Sequence, residues 1–182
     1  MEIKFDASIV VSSLAFLTSI CTAWFTIFHR GTVKISRPSI FALLPSDSGI
    51  RSPKVFFRTL LFSTGKRGRV IENMFARVNN GKFTKSFMYW AHGEREALVP
   101  GSGLFVGSDG IQANHHFMLT ESAGSYKFES GSYQVEILGS LIGKKPKLLH
   151  KISFELSREA ASALNETDDS AVMYLCVLPL HI

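Results

Sequence analysis

The residues of this chain best suited to chemistry lie in the run Asn114-His115-His116. Imidazole is the commonest metal ligand and the side chain that titrates nearest neutral pH. Ile111, Ala113, His115, Phe117 and Leu119 recur at every second position, which predicts a strand. Neighbouring side chains on a strand point to opposite faces, so His115 and His116 cannot close on one ion. His150 shares a predicted face with Ile152 and Phe154, so two inward imidazoles could meet between sheets. A satisfied core histidine is the commoner use of such a position, and no metal site is assigned.

Nucleophile and phosphate patterns are incomplete. Gly101-Ser102-Gly103 lacks the G-x-S-x-G elbow and its strand-to-helix setting. Gly131-Ser132-Tyr133 reads as a turn, and Gly65-Lys66-Arg67-Gly68 does not have the spacing of a phosphate-binding P-loop. Asn165-Glu166-Thr167 is a formal glycosylation sequon, of which one is expected by chance in a chain this long. No catalytic residue and no cofactor is assigned.

Three basic clusters remain: Arg30, Lys34 and Arg37; Lys66, Arg67 and Arg69; and Lys144, Lys145, Lys147 and Lys151. The first two are candidate lipid headgroup contacts, since each Lys or Arg near an anionic surface contributes about 1 kcal/mol. Ordinary solvated loops are the commoner reading for the second and third. A nucleic-acid partner fits poorly, because Tyr89 and Trp90 are not interleaved with the basic runs. The net charge of +5 is mild and suits anionic lipid or another acidic partner.

The basic residues nearest the N-terminus follow an uninterrupted apolar run, residues 8–28. As a helix this run reaches ~31 Å, close to the hydrocarbon thickness of a bilayer. Trp24, Phe25 and Phe28 stand where an interfacial aromatic belt would lie, and His29 and Arg30 end the run. Lys4 is flanked by Glu2 and Asp6, unlike the basic start of a cleaved signal peptide, and Ile20 before Cys21 argues against a lipoprotein signal. Arg30, Lys34 and Arg37 after the run, against Lys4 before it, put the C-terminal side in the cytoplasm by the positive-inside rule, with a periplasmic domain as the alternative. Ser8, Ser12, Ala15, Ser19, Thr22 and Thr26 form a seam on one helix face. Such a seam allows close approach of a second copy or of a partner membrane helix. Equally, hydroxyls in such helices often bond their own backbone.

The rest of the 182 residues reads as one β-rich domain. Hydrophobic residues make up 46% of the chain and fifteen are Phe, which disfavours disorder and favours pleated surfaces. The two Cys, Cys21 and Cys176, leave only one in the domain, so no disulfide can form within it. Strands are expected at Thr32–Ser36, Ile40–Leu44 and Lys54–Ser63. The last carries apolar residues on both faces, as a central strand covered twice would. Hairpins are expected around Asn79–Lys82, joining strands 69–78 and 83–91, and around Ser108–Gly110, joining 104–106 and 111–119. Strands 133–141 and 148–156 follow, then a short helix near 158–165 capped by Ser157, and a short strand or tail from Ala171 to Val177. Alternating strand direction puts the Thr64–Gly68 loop at the helix end of the domain, the Pro45–Gly49 loop at the far end, and the Gly143–Lys147 turn at the far end too.

The segment Phe128-Glu-Ser-Gly-Ser-Tyr133-Gln-Val-Glu-Ile137 resembles the turn and late strand of immunoglobulin-like sandwiches, in which such a Tyr bonds back to the preceding turn. The Cys pair joining the sheets of many such domains is missing. The chain is also similar to uncharacterised bacterial single-pass membrane proteins with an immunoglobulin-like β-sandwich after the anchor, a resemblance that implies no activity. The expected organisation is a flank (1–7), a transmembrane helix (8–28), a basic juxtamembrane segment (29–37) running into the first strand, and an all-β, immunoglobulin-like sandwich (32–182). The functional expectation is an interaction or structural module at the bilayer, in the bacterial inner membrane, with a protein partner or a second copy. The alternative is an accessory subunit or hydrolase-like enzyme with a loop-assembled site.

Overall fold

A computed structural model describes residues 7–28, 31–44, 53–94, 97–101, 103–119, 126–166 and 174–175. The apolar run forms α1 (Ala7–Ala23), which continues into a π-helical turn, Trp24–Phe28. Ala7–Ile27 is 21 residues with none of the span buried against the rest of the chain, a helix long and apolar enough to cross a membrane.

Most of the remainder is strand, in two antiparallel sheets that share one core. The first sheet runs in the order β12 (Tyr174–Leu175), β2 (Ile40–Leu44), β3 (Lys54–Ser63), β9 (Ile111–Met118), β6 (Tyr89–His92) and β7 (Val99–Pro100), with β1 (Val33–Ile35) also on β3. The second runs β11 (Lys147–Leu156), β10 (Gly131–Leu141), β4 (Arg69–Asn79) and β5 (Thr84–Phe87), with β8 (Leu104–Val106) also on β4. Each central strand, β3 and β4, thus carries two short strands end to end along one side.

The break between β1 and β2 has a local cause. Pro38 has no amide hydrogen to give the ladder. Hydroxyls fill the gap: buried Thr59 donates to the Ser36 carbonyl at 2.9 Å, and the Leu60 amide donates to Ser36 Oγ at 3.0 Å. Between the sheets lie Phe41, Val55, Phe57 and Phe117 from the first and Ile71, Val78, Val135 and Ile137 from the second, all fully buried. Phe41 and Phe154 meet across the sheets with ring centroids 5.2 Å apart.

Three expectations are corrected. β3 is central, but only its inner face is covered: Val55, Phe57 and Leu61 are buried while Leu60 on the other face is 40% exposed. The strand expected over 83–91 is two, because the apolar phase slips at exposed Met88. Phe87 faces inward from β5 in the second sheet, and Trp90 faces inward from β6 in the first. The Ser108–Gly110 turn is not a hairpin, since β8 pairs with β4 and β9 pairs with β3, so the chain changes sheets there.

The Asn79–Lys82 hairpin forms as expected, with Val78 opposite Lys85 and Asn79 opposite Thr84. Asn80 Oδ1 accepts the amides of Lys82 at 3.1 Å and Phe83 at 3.0 Å. Tyr133 is 2% exposed and its hydroxyl bonds the backbone of the preceding turn. α2 (Arg158–Glu166) starts at Ser157, whose Oγ accepts the Ala160 amide at 3.2 Å. The Glu159 carboxyl sits below its usual pKa because it accepts its own backbone amide and the Ser157 hydroxyl. Of the tail from Ala171 to Val177, Tyr174–Leu175 forms β12 and the rest lies outside the described residues, as does the Pro45–Gly49 loop.

Candidate functional site at the end of the domain nearest the helix

The chain enters the domain against the loop that joins the two sheets. The Thr64 amide donates to the Thr32 carbonyl at 2.9 Å, and the Thr32 amide donates to Thr64 Oγ1 at 2.8 Å. Gly31 adopts φ +52°, and a Cβ there would fall 2.3 Å from the Gly65 nitrogen. Only glycine fits so close an approach in that conformation. Ser63 Oγ, buried, donates to the Gly65 carbonyl at 3.0 Å and accepts the Gly65 amide at 3.2 Å, which folds the loop back on β3.

This contact decides where the predicted headgroup residues lie. Lys34 is exposed opposite Phe62, and Lys66 and Arg67 are exposed on the loop. Arg69 opens β4 opposite Val106, half-buried, and its Nε has no hydrogen-bond partner among the described residues. These four share one end of the domain. Arg37 lies farther up the flank, between Ser36, whose amide bonds the Leu60 carbonyl, and Ser39, whose amide bonds the Arg58 carbonyl. It stands near His150, whose pKa is pulled below its usual value by burial and then by the Arg37 charge. Arg30 lies outside the described residues.

The Gly143–Lys147 turn was expected at the far end, and the register corrects this. β10 runs antiparallel to β4 from Gln134 opposite Asn79 to Leu141 opposite Ile71, so it finishes beside Arg69. The Lys144 amide then donates to the Leu141 carbonyl at 2.8 Å to close the turn. Lys144, Lys145 and Lys147 are all exposed and join Lys34, Lys66, Arg67 and Arg69. Counting strands failed because the stretch 83–91 is two strands and because Ser108–Gly110 crosses between sheets, each of which shifts the parity.

Seven basic residues thus meet two acidic ones, Glu72 and Asp109, at this end. The described residues elsewhere hold nine basic and six acidic side chains, so the positive excess is greatest at this end. Large apolar side chains are exposed beside it: Ile142 at 66%, Phe105 at 60% and Leu148 at 54%. The Phe105 ring covers Gly68, where a Cβ would meet its Cζ at 2.5 Å. The alternation of β8 carried a signal for Phe105, an outward residue between inward Leu104 and Val106. Ile142 had none before the turn was placed.

No protein-family model, curated protein or solved structure matches the chain. The geometry of its own residues is therefore what bears on function.

His115 and His116 pack within the first sheet, one on each face. His115 is fully buried, and its Nδ1 accepts the Trp90 indole N–H at 3.1 Å. Burial first, then the charges of His92 and His116, lower its pKa to about 3. His116 points to the other face against Phe56, with ring centroids 4.9 Å apart. No group of three His, Cys, Asp or Glu converges among the described residues.

Asn165 of the sequon holds Phe128 by both backbone groups: its side-chain nitrogen donates to the carbonyl at 2.7 Å and its oxygen accepts the amide at 3.0 Å. An open depression of about 460 Å³ is lined by Asn79, Ser132, Gln134, Ser153 and Glu155. Ser132 Oγ donates to Glu155 at 3.3 Å there, and among the described residues no histidine or lysine lines the depression to act as a base.

On the helix, Ser19, Thr22 and Thr26 donate to the carbonyls of Ala15, Thr18 and Thr22, each four residues back. These seam hydroxyls are satisfied within the helix. Ala15 and Ser12 on the same face are exposed.

Proposed function

We propose that the chain is a single-pass membrane protein whose immunoglobulin-like domain serves as an interaction or structural module held at the bilayer. The observation that carries this reading is the joint between helix and domain. An apolar helix of spanning length runs to Phe28, and by Thr32 the backbone is hydrogen-bonded to the loop that bears Lys66 and Arg67. Three residue steps from Phe28 to Gly31 span at most ~11 Å. A domain tied so closely to a spanning helix must rest at the headgroups.

The immunoglobulin-like part is supported by strand order. With β1 and β2 as A, β3 as B, β4 as C, β5 as C′, β6 as D, β9 as E, β10 as F and β11 as G, the sheets read A-B-E-D and G-F-C-C′. That is the arrangement of such sandwiches, and Tyr133 falls near the start of F, where their tyrosine corner lies. The positive excess at the helix end supports a cytoplasmic domain, facing an anionic leaflet. The partner is a second copy, meeting through the helix seam, or another membrane protein.

Orientation is tested with Ser153→Cys, an exposed site on β11, in a chain carrying Cys21→Ser and Cys176→Ser. An impermeant maleimide should label it only after the cells are opened. Labelling of intact cells would put the domain outside, and recovery of the protein in the soluble fraction after carbonate extraction would remove the anchor.

A further inference from the structure

We infer that the helix-proximal end of the domain is a lipid-docking surface. The Ile142 turn and the Phe105 ring dip into the interface of the bilayer that holds α1, and basic residues on three separate segments bind its anionic headgroups. This rests on the reading of α1 as a membrane anchor.

Three independent observations meet at this surface. The first is covalent. The joint leaves the end of the domain within ~11 Å of the last helical turn, about one Debye length at 0.1 M salt. The headgroup layer itself is several Å thick, so residues at this end reach it without further unfolding of the chain.

The second is the sign and placement of charge. Lys34 comes from the first sheet, Lys66 and Arg67 from the loop between sheets, and Lys144 and Lys145 from the β10–β11 turn. The chain crosses the sandwich several times between these segments, yet each returns its basic residues to the same end. Among the described residues elsewhere nine basic residues stand against six acidic ones, so the positive field is strongest towards the helix. An anionic surface complements it; a neutral one does not.

The third is the exposed apolar residues. Ile142 is the first residue of the turn, followed by Gly143 and the two lysines, and it is 66% exposed. Phe105 stands outward over Gly68, beside the loop of Lys66 and Arg67. A β-branched or aromatic side chain flanked by lysines is the pattern of an interfacial anchor, with the apolar group below the headgroups and the cations among them. In water these two side chains would remain hydrated; at a bilayer they gain burial.

The full chain, with Cys176→Ser so that Cys21 is its only thiol, is reconstituted into phosphatidylcholine nanodiscs with and without phosphatidylglycerol. An environment-sensitive fluorophore is placed on native Cys21, or on Ile142→Cys or Ser153→Cys with Cys21→Ser. Quenching by brominated lipid is then read for each. The Cys21 probe should be quenched in both lipids, which tests the anchor alone. The Ile142 probe should be quenched strongly only when phosphatidylglycerol is present, and less in high salt. The Ser153 probe should stay in water throughout. Neutralising Lys144→Gln and Lys145→Gln should lower the docked-to-free ratio by roughly fivefold for each residue. If Cys21 is quenched and Ile142 stays in water in anionic discs, the docking surface is wrong and the anchor survives. If Ile142 is quenched equally in neutral lipid, the headgroup part is wrong. If Ser153 is quenched, the domain lies on its side and the end-on surface is wrong. If Cys21 is not quenched, the anchor itself fails.

Discussion

The Tyr133 phenol clamps the backbone of Glu129, donating to its carbonyl at 2.9 Å and accepting its amide at 3.0 Å. The ring beneath is buried and stacks on Phe154 with centroids 5.5 Å apart. One hydroxyl thus fixes the start of β10 relative to the turn before it.

Tyr133→Phe keeps the ring and removes both bonds. The Glu129 amide and carbonyl lose their partner, and the expected loss is about 1–3 kcal/mol. Chemical denaturation of the full chain in detergent, followed by Trp fluorescence, measures it. A change within error would mean that water replaces the phenol at no cost.

Gly31 carries the joint between helix and domain. Gly31→Ala places a methyl group against the Gly65 backbone and puts a non-glycine residue at φ +52°. The conformation alone costs about 1–2 kcal/mol, and the clash forces the Thr32–Thr64 pair to open. The domain should lose stability by about that amount or more, and the Thr64 amide should exchange faster with deuterium. Unchanged exchange at Thr64 would show that the joint is not held by this contact.

Local patterns in the sequence translated well. Alternation located β3 at Lys54–Ser63 and β2 at Ile40–Leu44, Asn79–Lys82 gave its hairpin, and Ser157 gave its helix. Global placement did not, because it depends on which sheet each strand joins. Nothing in Phe83–Ala91 except the slip of apolar phase at Met88 says that the chain changes sheets there. Strand counting alone therefore places the Gly143–Lys147 turn at the far end, away from the basic residues it joins in the fold. Arg37 shows the converse: it is near Lys34 in sequence, but the extended backbone carries it up the flank towards His150.

The helix seam yields a prediction that separates packing from hydrogen bonding. Ser19 and Thr22 spend their hydroxyls on their own helix. Association through this face would therefore depend on small side-chain volume. Ser19→Ala should leave self-association in a membrane two-hybrid assay unchanged, whereas Ala15→Leu with Ser19→Leu should weaken it several-fold, as bulk holds the backbones apart. A signal lost with Ser19→Ala would mean that the hydroxyl bonds across helices, and a signal kept with both Leu would remove the seam.

Stability should fall as the solution is acidified, and His115 should be the main reason. Its folded pKa of about 3 lies well below the usual value of 6.5, with burial as the largest cause. The unfolded chain therefore takes up a proton at His115 as pH falls through 6.5, while the folded chain does not. The contribution of this site is fully present above 6.5 and is lost progressively between 6.5 and about 3. His92, His116 and His150 are depressed in the same direction, each first by burial, and add to the loss. The slope attributable to one such group approaches about 1.4 kcal/mol per pH unit. His115→Phe removes that part of the slope and leaves the Trp90 N–H without its acceptor, so the variant should be less stable by about 1–3 kcal/mol at neutral pH and fall less steeply below it. Denaturation midpoints at pH 7.5, 6 and 5, bracketing the ordinary imidazole value, test both parts. Equal pH slopes in the two proteins would show that His115 is protonated in the folded state, with its bond to Trp90 reorganised.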